Sequence, residues 1–494
     1  MAFIQKIVHK INILRPRRRG YMLVTMIIYG SIAIMLMTAM TSAVITMYKM
    51  SQAVVEKERT FHIAESGNEY YRWHLAHAPA DFKDGTTTSS TGPYIHQFKD
   101  IDGNIIGRFE LTITAPINGT TITTVRSKGV SVKGPVRQIE TKLAIPSMAR
   151  FAVVANDNMR FGEGTEVHGP IHVNAGVRFD GYTHNIISST MASYDDPDHT
   201  GGSEFGVHTH VVSGTVNETF RSLEAPPNAV QARTDVFAAG RQFPVPQVDF
   251  VGITTSLSSI KTAAQSGGKY LASSGANGYH IVLKTNGTYD LYKVTTLQAS
   301  PSSSCTQSAT DWGTWTIKST GGQTLIGNYA FPVNGLIFVE DHVWVDGQIS
   351  NKKLTIASGK FPDNASTRTS IIINNDLKYT YFDGRDVLGL IAQDNVLTGL
   401  GSLENLTIHG ALVAQYGKVG RMYYNSDCST GYVRTRLTLY GMIASYLRYG
   451  FAYTDNTGYD IRDITYDANM LYGPPPSFPL LSGQYQTISW EEMQ

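Results

Sequence analysis

Residues 21–48, YMLVTMIIYGSIAIMLMTAMTSAVITMY, contain no charged side chain. A helix needs about 20 residues to cross the hydrocarbon core of a bilayer, and this run has 28. Buried helices of soluble proteins seldom go so long without a charge. Lys6, Lys10, Arg15, Arg17, Arg18 and Arg19 precede the run with no acid among them. Cations on that flank hold the N-terminus in the cytoplasm and send everything after Lys49 outward. The run exceeds the roughly 7–15 apolar residues of a secretory signal and has no small-residue cleavage site at its far end. It reads as the anchor of a single-pass protein, with membrane lipid as its first partner.

The whole chain carries 41 basic and 40 acidic residues, a net charge of +1. Six of the cations lie in residues 1–20, so the rest holds 35 basic against 40 acidic groups, net −5. A body of that sign offers no footprint for a phosphate backbone, and no nucleic-acid partner is expected. Charged residues are only 16% of the chain and hydrophobic ones 42%. That composition excludes a disordered charged chain and a long solvated coiled coil.

The junction Arg17-Arg18-Arg19-Gly20 followed by Tyr21-Met22-Leu23-Val24-Thr25 resembles the prepilin leader of type IV pilins and type II secretion pseudopilins. The resemblance implies cleavage by a prepilin peptidase after Gly20, leaving Tyr21 as the mature N-terminus. It also implies other pilin subunits as partners, met through the N-terminal helix. The family usually has Glu at the fifth mature position, where it neutralises a neighbour's amino terminus in the filament core; here that position is Thr25. This departure argues against a repeating major role and suits a minor, tip-located or initiating subunit. Residues 49–78 continue the helix, with Val54, Phe61, Ala64, Tyr71 and Leu75 on one face, and Pro79 marks its stop. A helix over 21–78 would be roughly 87 Å long at 1.5 Å per residue. Glu58 to Gly67, ERTFHIAESG, resembles the Ala-x-Glu-x-Gly region of PilX-type and general-secretion K-type minor pilins. The two resemblances cover about residues 15–80.

Beyond a polar break at 86–92 the period changes to two. FELTIT (109–114) and TTITTVR (120–126) flank Asn118-Gly119, a strong hairpin dipeptide, and VSVKG and RQIETKLAI follow. An antiparallel β-meander is predicted within 79–147, packed on the helix. Residues 148–494 are rich in Gly, Asn, Ser and Thr, with short Ile/Val runs. Three runs nearly repeat, around Ala392, Ala414 and Ala444, spaced by 22 and 30 residues. Stacked coils would bury the Ile and Val and place Gly and Asn at corners. The expected fold class is therefore mainly β with a long pilin-like transmembrane helix, a small antiparallel meander and a right-handed parallel β-helix-like head. A β-sandwich is the alternative. A helix over Thr254–Gln265 and a hairpin at Asn286-Gly287 form an insertion at about 250–330. The end, with Pro474-Pro475-Pro476 and Trp490, is expected to lie extended as a strap.

Cys305 and Cys428 are the only cysteines. Outside the membrane an even count favours one bridge, and neither has the His and acid of a nucleophile. His168, His172, His184, His199, His208 and His210 cluster in sequence. His208 and His210 would share a strand face, but no carboxylate stands at a recognised spacing, so they read as solvated loop residues and no metal is expected. Asp195-Asp196-Pro197-Asp198 and Asp455, Asp460 and Asp463 lack EF-hand spacing and read as turn residues. Glu340, Asp341, Asp346, Asp376 and Asp394 are scattered singly, where glycan-cleaving sites need paired carboxylates. No phosphate loop, Gly-x-Ser-x-Gly or His-Glu-x-x-His occurs. No catalytic residue, cofactor or enzymatic activity is expected.

These features point to a minor pilin or pseudopilin-like subunit of a type IV pilus or a type II-like secretion or competence machine. Its large head would serve adhesion to a surface glycan or protein, or the priming of assembly. The alternative is an uncleaved single-pass surface protein whose β-helix binds or processes glycans. The implied segments are a basic leader (1–20), a transmembrane helix (21–48), its amphipathic continuation (49–78), a meander (79–147) and a head (148–494).

Overall fold

The computed structural model describes residues 21–87, 92–117, 120–131, 135–250, 252–305, 313–481 and 483–493. Gly20 with the basic leader, and the Asn118-Gly119 turn, lie outside the described residues. The first element, α1 (Tyr21–His77), is one helix of 57 residues, about 86 Å long. Its N-terminal part projects free of the body, with Ile27, Met35, Leu36 and Met47 exposed. Among the described residues it is the one helix long and apolar enough to cross a membrane. Its hydroxyls suit that role. Thr25, Thr38, Thr41 and Thr46 each donate to the carbonyl oxygen four residues back, at 2.7–2.9 Å, so none would be left unsatisfied in hydrocarbon.

The C-terminal part of α1 is buried along Thr60, Ile63, Ala64, Gly67, Asn68, Tyr71 and Leu75, a seam of three- and four-residue steps. Ala64, Tyr71 and Leu75 fall on it as the sequence face predicts. Val54 is exposed, while Phe61 sits at the rim against Trp490 (5.9 Å between ring centroids). The seam packs on β1 (Tyr94–Lys99), β2 (Ile105–Thr114), β3 (Thr123–Ser131) and β4 (Arg137–Ala144), an antiparallel meander. Small residues let helix and sheet approach: a Cβ on Gly129 would stand 2.2 Å from the Thr60 carbonyl oxygen.

The fifth strand of this sheet is Gln486–Met493, at the far end of the sequence, paired antiparallel to β4 with Trp490 opposite Thr141. The expected terminal strap is thus a sheet strand, held also by an Arg137–Glu492 ion pair. Trp490 remains partly exposed at the helix rim and anchors no core. Everything between β4 and this strand is an insertion into the helix-backed sheet.

The inserted body is a stack of parallel coils, which the alternating antiparallel strands of a sandwich would not give. One continuous ladder runs Ile337, Ile356, Leu390, Leu412, Ile443, Val153, Ile171, Ile187, all fully buried. The three near-repeats lie side by side as expected, in the register Ala392, Ala414, Ser445, one residue past Ala444. At the coil corner Gly410 and Gly441 adopt φ of +153° and +151°. A Cβ on Gly441 would meet the Gly410 carbonyl oxygen at 1.9 Å, so this corner accepts only glycine.

The chain enters the stack in its middle. From Val153 it builds outward through Ile171 and Ile187 to Arg241. It then crosses to the opposite end at Lys269–Leu271 and returns inward until Ile443 pairs with Val153. Entry and exit therefore run together: Met148 N–H donates to Pro479 and Leu481 N–H to Pro146, at 3.0 and 3.1 Å. This adjacency allows a body of this size to sit between two neighbouring strands of a small sheet. The crossing segment carries α2 (Gly252–Gly267), which buries Leu257, Ile260 and Ala264. The Asn286-Gly287 hairpin joins Gly278–Leu283 to Thr288–Val294 as the sequence indicates.

Candidate functional site

Two places bring chemistry-bearing residues together, the exposed start of α1 and the outgoing coils of the body. At the first, Thr25 donates its hydroxyl back to the Tyr21 and Met22 carbonyl oxygens (2.9 and 3.0 Å). The first turn of α1 has no acid.

At the second, five side chains from residues 196–210 converge. His208, His210 and Glu204 are fully buried, and the side chains of Asp196 and His199 nearly so. Glu204 Oε2 lies 2.9 Å from His199 Nε2, 3.2 Å from His208 Nε2 and 3.2 Å from His210 Nε2. Asp196 Oδ2 lies 3.4 Å from His208 Nε2 and 3.7 Å from His199 Nε2. Short strands set this up: Glu204–Phe205 pairs with Ser193–Tyr194, and Val207–His208 runs parallel to Val177–Phe179. The Arg221 N–H holds Glu204 Oε1 at 2.8 Å, which turns Oε2 inward.

The reading of these histidines as solvated loop residues without acid partners is overturned. Asp196 from a turn and Glu204 from a short strand are brought together by the fold, and the site is sealed. The sequence signal was only the density of His. The acids stand at spacings that match no ligand template, and tertiary pairing alone aims them. His168 and His184 belong elsewhere, stacked at 3.9 Å beside Glu166 in an exposed group. His172 is bonded to Ser188 and Asn174, and burial lowers its pKa.

Beside the buried cluster opens a cleft of about 1190 Å³, lined among others by Arg160, Glu218, Arg448, Tyr449 and Tyr453. Several of its charges are paired: Asp198 takes both Nη atoms of Arg448 (2.9 and 2.6 Å), and Glu218 bridges Arg160 and the buried Arg178. Asp455 caps Thr457 as a turn residue and Asp463 pairs with Arg436. The scattered acids also have structural partners: Glu340 holds Lys261 and Tyr270, Asp346 holds His280.

Cys305 and Cys428 are joined in a disulfide. Despite their polar sequence neighbours both are fully buried, among Leu397, Leu400, Met422 and Tyr424. The bridge fastens a surface loop to the side of the returning coils.

No family model matches the chain, and no curated protein matches it. Among solved structures, the chain is similar to the competence-associated pilin ComZ from Thermus thermophilus, at 14% identity and a TM-score of 0.27. The alignment covers 89% of this chain and 98% of that one. A likeness of that order carries no argument about function.

Proposed function

We propose that the chain is a minor pilin or pseudopilin-like subunit, anchored by α1, that displays the coiled body at the end of a pilus or secretion pseudopilus. The observation that carries this reading is the division of α1. Its first part is apolar and bare, and its second part is buried on a five-stranded antiparallel sheet. A helix so divided can lodge in lipid or among other helices while holding a folded domain outside. The insertion between β4 and Gln486–Met493 enlarges that domain without disturbing the helix-backed sheet.

Thr25 supports a terminal place. An amino group at Tyr21 in an apolar core costs several kcal/mol unless a carboxylate meets it, and a second copy of this chain brings none in the first turn of α1. A Glu-bearing major subunit would supply it, below a subunit whose own body faces outward. The body acts there as an adhesive or assembly-priming surface, with Asp198, Glu218 and Glu340 committed to ion pairs.

The test is expression with and without a major pilin. Recovery in sheared filaments only when the major subunit is present supports the reading. Homopolymeric filaments of this chain alone, seen by microscopy, overturn it.

A further inference from the structure

We propose that Glu204, His199, His208 and His210, with Asp196 beside them, form a structural site for a divalent transition-metal ion of the zinc class. Four ligands about 2.05 Å from a tetrahedral ion place their donor atoms roughly 3.3 Å apart. The carboxylate-to-histidine separations run from 2.9 to 3.7 Å, on both sides of that value. All five donors lie within 4.8 Å of one another.

The outer nitrogens identify what the inner ones offer. His199 Nδ1 faces the Thr200 carbonyl oxygen at 3.4 Å, His208 Nδ1 faces Phe205 at 3.2 Å, and His210 Nδ1 faces Asn217 at 2.7 Å. Each carbonyl accepts only, so each Nδ1 carries the proton and each neutral ring turns a bare Nε2 lone pair inward. Three lone pairs then face carboxylate oxygens that also only accept. Asp196 Oδ2 and His208 Nε2 have no hydrogen-bond partner although both are buried.

Positive charge must fill that point. Protonating all three rings would seal three imidazolium ions against two carboxylates, at the desolvation cost of every buried ion. One divalent cation balances two carboxylates and uses every lone pair. Three imidazole nitrogens exclude calcium and magnesium, which take oxygen shells, and suit zinc. Burial leaves no open position for water or substrate, which marks a structural and not a catalytic site. Its effect falls on a segment with strands of two or three residues. An ion there fastens the 195–221 loop, whose Asp198 and Glu218 line the cleft.

The test uses the full chain in detergent, stripped with a chelator and titrated with cobalt(II). Saturable binding of one ion per chain, with the visible bands of tetrahedral cobalt and displacement by zinc, is expected. Absence of bound metal overturns the proposal and leaves a protonated histidine–carboxylate network in its place. His208→Asn should weaken binding by ~100-fold or more, and full binding in that variant also overturns it. So does loss of binding in Glu166→Gln with His208→Asn intact, which would put the ion at the exposed Glu166, His168 and His184 group. A variant that fails to fold is replaced by thermal unfolding of stripped wild type. Added zinc should raise the midpoint, and an unchanged midpoint counts against the site.

Discussion

The coils between Leu336 and Ser445 have strands of up to 13 residues and an inward ladder of Ile, Leu, Val and Ala. The coils between Val153 and Gln242 belong to the same stack, but their strands have two or three residues. They bury Arg178, Asp180, Glu204, His208, His210 and Glu224, and the side chain of Arg241. Long strands satisfy their own backbone and bring enough apolar area to hold by packing. Short strands leave much of the chain in turns, whose polar groups need side-chain partners. One apolar ladder runs through both regions, and the outgoing coils add a dense set of buried ion pairs to it.

That contrast breaks most visibly at Asp180. Arg178 is sealed from water: its Nε donates to Asp180 at 2.6 Å with both side chains completely buried, and its Nη2 reaches the exposed Glu218 at 2.9 Å. Asp180→Ala leaves a buried guanidinium short of a partner and should cost about 3–5 kcal/mol. Hydrogen exchange should speed in 177–210 and stay unchanged in 387–445. Equal loss in both halves would erase the distinction.

The disulfide comes next. Cys305 and Cys428 are 123 residues apart, and replacing both by Ala should cost about 3 kcal/mol through the freed chain. Urea unfolding followed at the Trp residues near the loop measures it. The loss should fall on the returning coils, which the bridge clasps, and not on the polar ones.

Acid should act on different groups in different pH windows. His409 lies against Tyr379, Phe382 and Tyr440, and burial, then Lys378, lowers it from 6.5 to about 4. The folded state refuses a proton that the unfolded chain accepts, so stability is full above 6.5 and falls as pH drops toward 4. Glu218 is also depressed, from its ordinary 4.5: burial opposes this, but Arg178 and Arg160 prevail. Its stabilisation is present above 4.5 and is lost only below it. Hydrogen exchange corrected for intrinsic rate should show the coils around His409 weakening as pH falls from 6.5 toward 4, and His409→Gln should reduce that slope.

The smallest effect is expected at Ile391→Val, about 1 kcal/mol for one buried methylene, read from the denaturation midpoint. A fully packed ladder predicts a measurable loss there. No loss would mean that the coil interior is loose.

Local signals were legible because they are local. The uncharged run at 21–48, the amphipathic seam ending before Pro79, the Asn286-Gly287 hairpin and the Gly-punctuated repeats each depend on neighbours within one element. The strand at Gln486–Met493 could not be placed, since its partner β4 lies some 340 positions upstream and its own sequence alternates weakly. Nor could the mid-stack entry at Val153, which only the pairing with Ile443 reveals. The cysteines look polar in sequence because most of what buries them, Leu397 and Leu400 among it, comes from elsewhere in the chain. The His cluster failed for the same reason: Glu204 is aimed by the Arg221 backbone and Asp196 by its own turn, neither of which a spacing rule sees.

The central claim is that a pilin-like helix and sheet carry this body from the membrane, and the mature N-terminus tests it most directly. The intact mass of the chain, purified from membranes with a prepilin peptidase present, should correspond to a protein beginning at Tyr21. A bulky residue in place of Gly20 should retain the leader and give the longer mass. A wild-type chain that still begins at Met1 under those conditions would contradict the account.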